Sequence, residues 1–281
     1  MTSMMNTGVS GMESAQEDMQ VIGDNIANVN TVGFKASRMS FEDSLTETLR
    51  AAGSTGSGSS STGLELGTGV NPAATTTLFT QGSLTQTGVN TDLALQGDGF
   101  FLVKDASGAQ YVTRAGDFHI DATTNQLVTN DGLVVQGYSD AGLTTQGGIT
   151  IDETGKPATA AAGAVISNVS IHQNGEVWLT LSDGTSFRRG QILLQNFTNP
   201  SALSSAGGNL YTNLTAAGPQ ALAAPQSNGL GAVQSGELEM SNVDLASEFA
   251  SLITAQRAFE ANARVITTSD QVLQQLVALK Q

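Results

Sequence analysis

The stretch "GDNIANVNTVGFKAS", residues 23–37, decides the fold because an amphipathic helix runs into it and does not continue beyond it. Upstream, apolar residues recur at steps of three and four, the spacing of one helix face. Asn28 and Gly33 then suit the left-handed backbone of a helix C-terminus. The chain resumes at once with Phe34 and Lys35. Taken alone, the stretch predicts a helix end followed by a loop.

The other end of the chain predicts a second, longer helix with an apolar seam. Residues 243–280 contain no Gly or Pro, and Asn242 or Ser241 can cap the helix start, with Asp244 in its first turn. The seam follows alternating steps of four and three through Leu245, Phe249, Leu252, Gln256, Phe259, Ala263, Ile266, Asp270, Leu273 and Val277. Such a seam favours another helix as its partner, as in a coiled coil, although Gln256 and Asp270 interrupt it. The obvious partner is the first helix, whose stripe consists of Met5, Val9, Met12, Met19, Ile22, Ile26 and Val29.

The segment that follows the first helix is predicted to link it to the middle of the chain. "SFEDSLTETLR", residues 40–50, has Phe41, Leu45 and Leu49 four residues apart, which predicts a short helix. The Gly/Ser/Thr tract over residues 51–63 predicts a flexible linker, because none of its side chains can be buried.

The middle of the chain is predicted to be antiparallel and β-rich. In "NVSIHQNGEVWLTLSDGTSFRRGQILLQNF", residues 168–197, Asn-Gly and Asp-Gly pairs mark two tight turns of a three-stranded meander. Residues 139–164 are poor in core-forming side chains and predict an exposed excursion. The expected fold class is α+β: long N- and C-terminal helices that pair as a coiled coil, joined to a central antiparallel β-rich domain. The expected division is a helical domain of residues 1–35 with 240–281, a linking segment of 36–70 and a β-rich domain of 71–239.

Composition limits the function classes. The 281 residues include 25 acidic and 11 basic side chains, a net charge of −14, and no cysteine. This balance argues against binding to nucleic acids or anionic membranes, both of which favour clustered Lys and Arg. No apolar run approaches the ~20 residues of a membrane-spanning helix, and the N-terminal residues lack the pattern of a cleaved signal peptide.

No residue pattern predicts catalysis. His119 shares a period-two spacing with Asp117 and Asp121, so the three can lie on one sheet face, but one His with two carboxylates is far from a recognised metal-ligand pattern. Gly155-Lys156 lacks the earlier glycine and the Ser or Thr of a phosphate-binding loop, and no serine lies in a G-x-S-x-G turn. We therefore predict no enzymatic activity, no catalytic residues, no cofactor and no metal.

Three blocks of sequence resemble one protein family. "IGDNIANVNTVGFKAS" resembles the N-terminal signature of bacterial flagellar rod and hook proteins. "QGSLTQTGVNTDLALQGDGFFLV", with "YVTRAGDFHIDATTNQLVTNDGLVVQGY" after it, resembles the start of that family's β domain, and "GELEMSNVDLASEFASLITAQRAFEANARVITTSDQVLQQLVALK" resembles its C-terminal helix. The blocks lie in the family's order. The positions that match the N-terminal signature are Asn25, Ala27, Asn28, Thr31, Gly33, Phe34 and Lys35.

The resemblance implies a structural subunit that assembles helically. In this family the terminal helices form a coiled-coil layer around a hollow tube, and the asparagine–glycine break turns the chain outward. Identical subunits then meet through heterologous contacts that do not close into a ring. The residues expected to pack between subunits are Met12, Met19, Ile26, Leu245, Phe249, Leu252, Phe259, Ile266 and Leu273.

The resemblance also implies partners and a location. The expected partners are copies of the same chain, neighbouring rod, hook-cap and hook–filament junction proteins, and the flagellar type III export apparatus. The expected location is the hook or basal body of the flagellum, reached without a cleaved signal peptide. "FEDSL" resembles an export element of related subunits through Phe41 and Leu45. The alternative is an ordinary short helix in which these two side chains meet.

Within the family, the sequence favours the hook protein, which transmits motor torque to the filament and forms part of the export channel. "VVQGY" and "ITTSDQVLQQLVALK" point that way. The short chain and "GLELGTGVNPAATTTLFTQGSL" favour the alternative, the distal rod protein. A phage-tail-like or surface-fibre protein is the second alternative, but it requires neither the paired helices nor the N-terminal signature.

Overall fold

The computed structural model describes residues 2–50, 53–55, 59–61, 64–158, 160–161 and 163–279. The chain divides into two compact units. We call the first, Met1–Ala27 with Ser37–Leu78 and Val243–Gln281, the helical unit. We call the second, Asn28–Ala36 with Phe79–Asn242, the β unit. The predicted α+β class with an antiparallel, β-rich centre is confirmed.

The helical unit contains helix α1 (Thr2–Ala27) and helix α2 (Leu245–Ala278). Asn25 Nδ2 donates to Glu248 Oε1 at 3.3 Å, whereas Gly8 lies against Ile266 near the other end of α2, so the helices run antiparallel. The first helix ends before the asparagine–glycine cluster, as predicted. The cap of α2 is Asp244, whose carboxylate accepts from the backbone of Ala246, and not Asn242 or Ser241 as expected. Neither helix is long and apolar enough, over its described residues, to cross a membrane.

A two-stranded antiparallel ribbon completes the helical unit. It pairs β1 with β6, β2 with β5 and β3 with β4. The strands are β1 (Ser37–Asp43), β2 (Thr46–Arg50), β3 (Gly53–Thr55), β4 (Ser59–Ser61), β5 (Leu64–Gly67) and β6 (Val70–Thr77). Its β6 strand lies beside α1, where Ser14 Oγ donates to Val70 O at 3.4 Å.

The ribbon contradicts two predictions. The short helix over residues 40–50 is wrong, because its threonines favour strands and β5 and β6 supply the backbone partners. The tract over 51–63 is not simply a linker either, since Gly53–Thr55 pairs with Ser59–Ser61. Residues 51–52, 56–58 and 62–63 of that tract lie outside the described residues.

The β unit is built on a long antiparallel sheet. Its main path runs β15-β16-β17-β13-β9-β10-β20-β19. The unit's strands are β7 (Leu84–Gln86), β8 (Leu93–Gln96), β9 (Phe100–Lys104), β10 (Gln110–Thr113), β11 (His119–Ile120), β12 (Leu127–Val128), β13 (Val134–Tyr138), β14 (Gln146–Gly148), β15 (Ile166–Ile171), β16 (Glu176–Leu181), β17 (Ser186–Ile192), β18 (Leu194–Gln195), β19 (Ser204–Gly207), β20 (Leu210–Thr212), β21 (Ala232–Ser235) and β22 (Glu237–Glu239). The meander predicted over residues 168–197 is confirmed as β15, β16 and β17. Its turns depend on Gly175 and Gly184, which have positive φ angles of 79° and 84°.

Two apolar clusters form the core of the β unit. The larger joins the meander to β8, β9 and β13, and the smaller surrounds Phe100, whose ring meets Phe79 and Phe197 edge to face. The predicted exposed excursion over 139–164 is wrong in part. Its strand β14 pairs with β13, and Ile149, Ile151 and Ala164 are buried in the larger cluster because this sparse segment still supplies alternating apolar side chains.

Candidate functional site

A buried ion cluster lies inside the β unit where the signature segment meets β22. The side chains of Lys35 and Glu239 are fully buried, and Lys35 Nζ lies 2.6 Å from Glu239 Oε1. Lys35 also donates to Thr80 O at 2.8 Å, and the backbone N–H of Gly82 donates to the same carboxylate oxygen at 3.0 Å. Arg114 Nη1 lies 3.5 Å from the other oxygen of Glu239. One carboxylate therefore serves two buried cations.

Burial dominates the electrostatics of this cluster. It lowers the pKa of Lys35, and the charge of Glu239 opposes that shift. Burial likewise lowers the pKa of Arg114, again opposed first by Glu239, and the guanidinium carbon lies 5.0 Å from the centre of the Phe100 ring. Burial raises the pKa of Tyr211 to about 12. Removing the carboxylate that lies beside both Lys35 and Arg114 would leave two desolvated cations poorly compensated, so Glu239 makes the burial of the cluster possible.

The signature turn is fixed by backbone geometry as well as by charge. Gly33 has a φ of 69°, its N–H donates to Glu239 O at 2.7 Å, and a Cβ at this position would overlap the backbone of Ala115. Before Gly33, Thr31 Oγ1 donates to Asn28 Oδ1 at 3.1 Å, and directly after it Phe34 N donates back to Thr31 O at 3.4 Å. Only glycine combines this angle with this close approach.

Two asparagine side chains form hydrogen bonds with backbone groups that a neighbouring strand would otherwise bind. In the helical unit, Asn25 Oδ1 accepts from Ser37 N at 2.9 Å, and its Nδ2 donates to Ser37 O at 2.8 Å. In the β unit, Asn242 Oδ1 accepts from Ala36 N at 2.7 Å, and its Nδ2 donates to Thr80 Oγ1 at 2.8 Å. The structure thus gives the signature residues fold-determining contacts.

Lys35 stands in the family signature, but its partners Glu239 and Arg114 were not predicted. A lysine inside a compact turn requires a buried counter-charge, and "GELEM" offers Glu239 in an otherwise paired strand. Arg114 follows strand β10, so it also was visible as a charge beside a buried segment. Nothing in the sequence spacing shows that these groups converge over more than 200 residues of chain.

The helical unit places the predicted seam only in part. Leu252, Phe259, Ile266 and Leu273 are half-buried, as are Met12, Met19 and Ile26 of α1. The remaining positions of the observed contact differ from the predicted seam. Ala255 and Ser269, at 6 % exposure, take the covered positions that were assigned to Gln256 and Asp270, both of which are exposed.

Two glycines of α1 lie directly against α2. Gly8 of α1 lies against Ile266, and a Cβ on Gly11 would lie 2.5 Å from the Asn262 side chain. The two glycines therefore let the backbone of α1 approach Ile266 and Asn262 of α2 closely. The polar Gln256 and Asp270 then remain in solvent and do not interrupt the contact.

Several large apolar side chains of α2, on both sides of its covered face, remain exposed. Phe249 and Ile253 are 49 % and 51 % exposed. Other large apolar side chains exposed on this helix are Leu245, Val265, Val272, Leu276 and Val277. Leu245 and Phe249, which were expected to pack between subunits, therefore do not contribute to the seam within the chain. The packing of all the predicted residues between copies stays a prediction.

The predicted export element lies on the ribbon. Phe41 belongs to β1 and is 42 % exposed, and Leu45, between β1 and β2, is 85 % exposed. The alternative interpretation, a short helix in which these side chains meet, is wrong. Their role in export stays a prediction.

The histidine and its neighbouring carboxylates are used locally. Asp117 accepts from Asn130 Nδ2. Asp121 accepts from the hydroxyl of Thr124 at 2.5 Å and from its backbone N–H at 3.0 Å, and these bonds close a turn and lower the pKa of Asp121. Within the described residues, no group of three or more His, Cys, Asp or Glu side chains is arranged to hold a metal ion.

Comparisons with known proteins cover both ends and the middle of the chain. Three family models match: flagella basal body rod protein over residues 5–35, the D1 domain of flagellar hook protein FlgE/F/G over 94–179, and the C-terminal part of flagellar basal body rod FlgEFG protein over 234–279. A solved structure of Helicobacter pylori flagellar hook protein FlgE2 covers 64% of this chain and 47% of that chain, at 14% identity and a TM-score of 0.23.

The relatives favour the rod over the hook. The flagellar basal-body rod protein FlgG of Bacillus subtilis is 40% identical, with 100% of both chains covered, and that of Caulobacter vibrioides is 39% identical, with 96% of each covered. The flagellar hook protein FlgE of Borreliella burgdorferi is 25% identical, and its alignment extends over 442 positions. The hook interpretation is therefore the less well supported of the two. By motif, order and full-length similarity, the chain belongs to the bacterial flagellar rod and hook protein family.

Proposed function

We propose that this protein is a distal rod subunit of the flagellar basal body, a structural protein that assembles with copies of itself into a hollow shaft. The observation that carries the proposal is the full-length match to rod proteins at 40% identity. The hook relative instead requires an alignment much longer than this chain's 281 residues. The protein is not an enzyme, and the rod interpretation replaces the hook as the first choice.

Assembly follows from the two faces of α2. One face packs against α1 as the coiled coil of a single chain, with Ile266 against Gly8. The other face, with Phe249 and Ile253, packs against the helices of neighbouring copies. Burying the exposed half of one such side chain contributes on the order of 1 kcal/mol, and each copy offers several. A contact repeated at every subunit is then sufficient for a polymer, whereas a single dimer contact stays weak.

The ion cluster supports the same function. It holds residues 33–36 beside residues 239–242, which are the segments that lead to β1 and to α2. Buried, charge-assisted contacts resist shear better than an exposed surface pair, so these two chain segments keep their spacing under load. Transmission of torque along a shaft needs such fixed spacing in every subunit.

The partners and location follow from the rod assignment. The proposed neighbours are copies of this chain, other rod proteins and hook proteins at the two ends of the shaft, together with the flagellar type III export apparatus. The hook-cap and hook–filament junction proteins, which the hook interpretation implied, are not direct neighbours of a rod subunit. The proposed location is the basal body of the flagellum.

Electron microscopy of cells that lack the gene separates rod from hook. We expect rods that stop short and carry no hook. Complete rods without hooks would contradict the rod assignment and favour the hook. Complementation with the intact gene is the control, and it must restore full-length rods and motility.

A pair of substitutions tests the assembly faces. Phe249→Asp is expected to leave the monomer helical, because this side chain lies outside the α1 contact, and to prevent polymerisation. Ile266→Asp is expected to separate α1 from α2 already in the monomer, since it buries an unpaired carboxylate. Circular dichroism and sedimentation distinguish the two effects. Gln271→Asp, which adds the same charge at an exposed polar position of α2, serves as the control. Normal polymers from Phe249→Asp would contradict the proposed face.

A second experiment tests the export proposal. Phe41→Ala with Leu45→Ala is expected to reduce the secreted protein while it accumulates in the cell, because both side chains are accessible on the ribbon. Leu64→Ala, another exposed apolar residue of the ribbon, is the matched control. Normal secretion of the double variant would remove the export role.

A further inference from the structure

The outward face of the β15–β17 meander carries the only tryptophan of the chain. Trp178 stands in the central strand β16, opposite Ser170 of β15 and Arg188 of β17. Its strand neighbours Val177 and Leu179 point into the core and are fully buried, whereas Trp178 is half-buried. Trp178 belongs to neither apolar cluster of the β unit, so core packing does not explain this large aromatic ring on the solvent side of the sheet.

Trp178 lies in a shallow groove lined otherwise by polar side chains. The groove is open to solvent and has a volume of about 440 Å³. Its lining consists of His172, Gln173, Asn174, Glu176, Trp178 and Gln226. The side chains of His172 and Gln226 make no hydrogen bond within the described part of the chain, so their donors and acceptors are available to a ligand.

The ring is held in one orientation. Trp178 Nε1 donates to Glu176 Oε2 at 3.2 Å, and Arg188 Nη1 donates to Glu176 Oε1 at 2.7 Å. The imidazole of His172 meets the indole nearly at right angles, with ring centres 5.9 Å apart. Two contacts therefore fix the indole plane before any ligand arrives, which reduces the entropy cost of binding.

The backbone of Gln226, another residue that lines the groove, is held in an unfavourable conformation. Gln226 adopts a φ of 62°, which is unfavourable for a side chain of this kind. Its loop is anchored where Gln226 N donates to Gly231 O at 3.0 Å. The preceding Pro225 lies so close to Gly175 that a Cβ there would come within 2.8 Å of it. A strained residue held at a groove by its surroundings is typical of binding sites.

We propose that this groove binds an oligosaccharide, with one sugar ring stacked on Trp178 and its hydroxyl or acetamide groups hydrogen-bonded to the surrounding amides and to His172. A sugar ring offers an apolar face to the indole and a rim of donors and acceptors to Asn174, Gln226 and His172. The carboxylate of Glu176 is engaged by Arg188, which lowers its pKa, so the site binds without acting as a general acid.

A second copy of the chain fits these observations less well. A stable protein interface takes about 800 Å² from each partner with an apolar centre, whereas this groove offers one aromatic ring among polar groups. The proposal is independent of the rod assignment, since it concerns only the β unit's own surface.

The single tryptophan makes the test direct. The full-length protein is titrated with N-acetylchitotriose and, in parallel, with cellotriose, which lacks the acetamide groups, while the fluorescence of Trp178 is recorded. We expect a saturable change with a dissociation constant in the millimolar range for at least one of the two sugars. Preference for N-acetylchitotriose would assign the amides to acetamide recognition.

Variants locate the binding. His172→Ala and Gln226→Ala keep the fluorophore and are expected to weaken binding several-fold. Trp178→Ala, followed by calorimetry, is expected to weaken it roughly tenfold. His119→Ala, an exposed histidine on another strand, should bind as the parent does. Thermal melts check that each variant is folded. Should Trp178→Ala fail to fold, the other two substitutions decide the outcome.

Three results would overturn the proposal. The first is the absence of any saturable change up to about 10 mM of either sugar. The second is equal affinity in the parent, His172→Ala and Gln226→Ala. The third is self-association of the parent that His172→Ala or Gln226→Ala abolishes, which would assign this face to a second copy.

Discussion

Glu239→Gln is expected to destabilise the β unit more than any single charge removed from its surface. Gln keeps the shape of the side chain and can still accept from Lys35 and Gly82, which donate at 2.6 Å and 3.0 Å. It removes the carboxylate that lies in contact with both Lys35 and Arg114. In one orientation it also directs an amide N–H₂ at the Arg114 guanidinium, 3.5 Å away in the parent.

The expected magnitude follows from the burial of the cluster. Breaking a buried ion pair by removing one partner costs about 3–5 kcal/mol, because an uncompensated charge stays in the interior. In a unit of this size the loss corresponds to a fall in melting temperature of roughly 10 °C. Lys35→Met should cost less, about 2 kcal/mol, because Arg114 remains as a counter-charge for Glu239.

Trp178 fluorescence is a suitable assay, since the only tryptophan lies in the β unit and reports its unfolding in urea. Glu153→Gln removes a carboxylate from an exposed pair with Lys156 and is expected to cost less than about 0.5 kcal/mol. The double variant with Lys35→Met and Glu239→Gln should lose less than the sum of the single losses. If Glu239→Gln costs no more than Glu153→Gln, the reasoning about the buried cluster is wrong.

Three further predictions concern both units. Gly8→Leu should disrupt the contact between α1 and α2, because even a Cβ atom at this position would lie 2.9 Å from Ile266. Gly23→Leu places its side chain in open space and should stabilise α1 by about 1 kcal/mol. The helix content measured on heating distinguishes the two variants. Burial raises the pKa of Asp18, so its ionised form opposes folding, and stability falls as pH rises through the folded-state pKa. Asp18→Asn should therefore raise the melting temperature of the helices at pH 7. The control Glu13→Gln, at an exposed position of the same helix, should give no such gain. Hydrogen bonds lower the pKa of the turn carboxylates Asp105, Asp121, Asp140 and Asp183 below 3.8. Their contribution to the stability of the β unit is therefore present above pH 3.8 and is lost as pH falls through the lower folded-state pKa values. Thermal melts of the β unit at decreasing pH should show this loss of stability, and Asp121→Asn should make the loss smaller.

Local patterns predicted much of the fold. The break after α1, the long α2 and the meander with its Asn-Gly and Asp-Gly turns each depend on neighbouring residues, and the structure has all three. The ribbon was mistaken for a helix and a linker because the spacing of Phe41 and Leu45 suits a helix, and only the distant partner strand β6 decides otherwise. Propensity is weak where a tertiary partner exists.

The candidate site was predicted only where its signal was local. Lys35 and Gly33 lie in a recognisable signature, but the convergence of Glu239 and Arg114 on Lys35 depends on long-range pairing of the chain. The α2 seam shows the same limit. Heptad spacing includes Phe259 and Ile266, which are half-buried, but it misses the buried Ala255 and Ser269, which lie one residue before the exposed Gln256 and Asp270.

The distance along the chain between Lys35 and Glu239 also sets an order of events during folding. Their contact spans 204 residues, so the turn that contains Lys35 stays without its counter-charge until almost the whole chain is present. Closing so long a loop is entropically costly and comes late. Synthesis and passage through a narrow conduit both release the chain from its N-terminus. In either process, therefore, the β unit cannot complete its ion cluster before nearly the whole chain has emerged. Strand β22, the last strand before α2, carries Glu239 and so completes the ion cluster. The β unit therefore becomes rigid only after this strand is present.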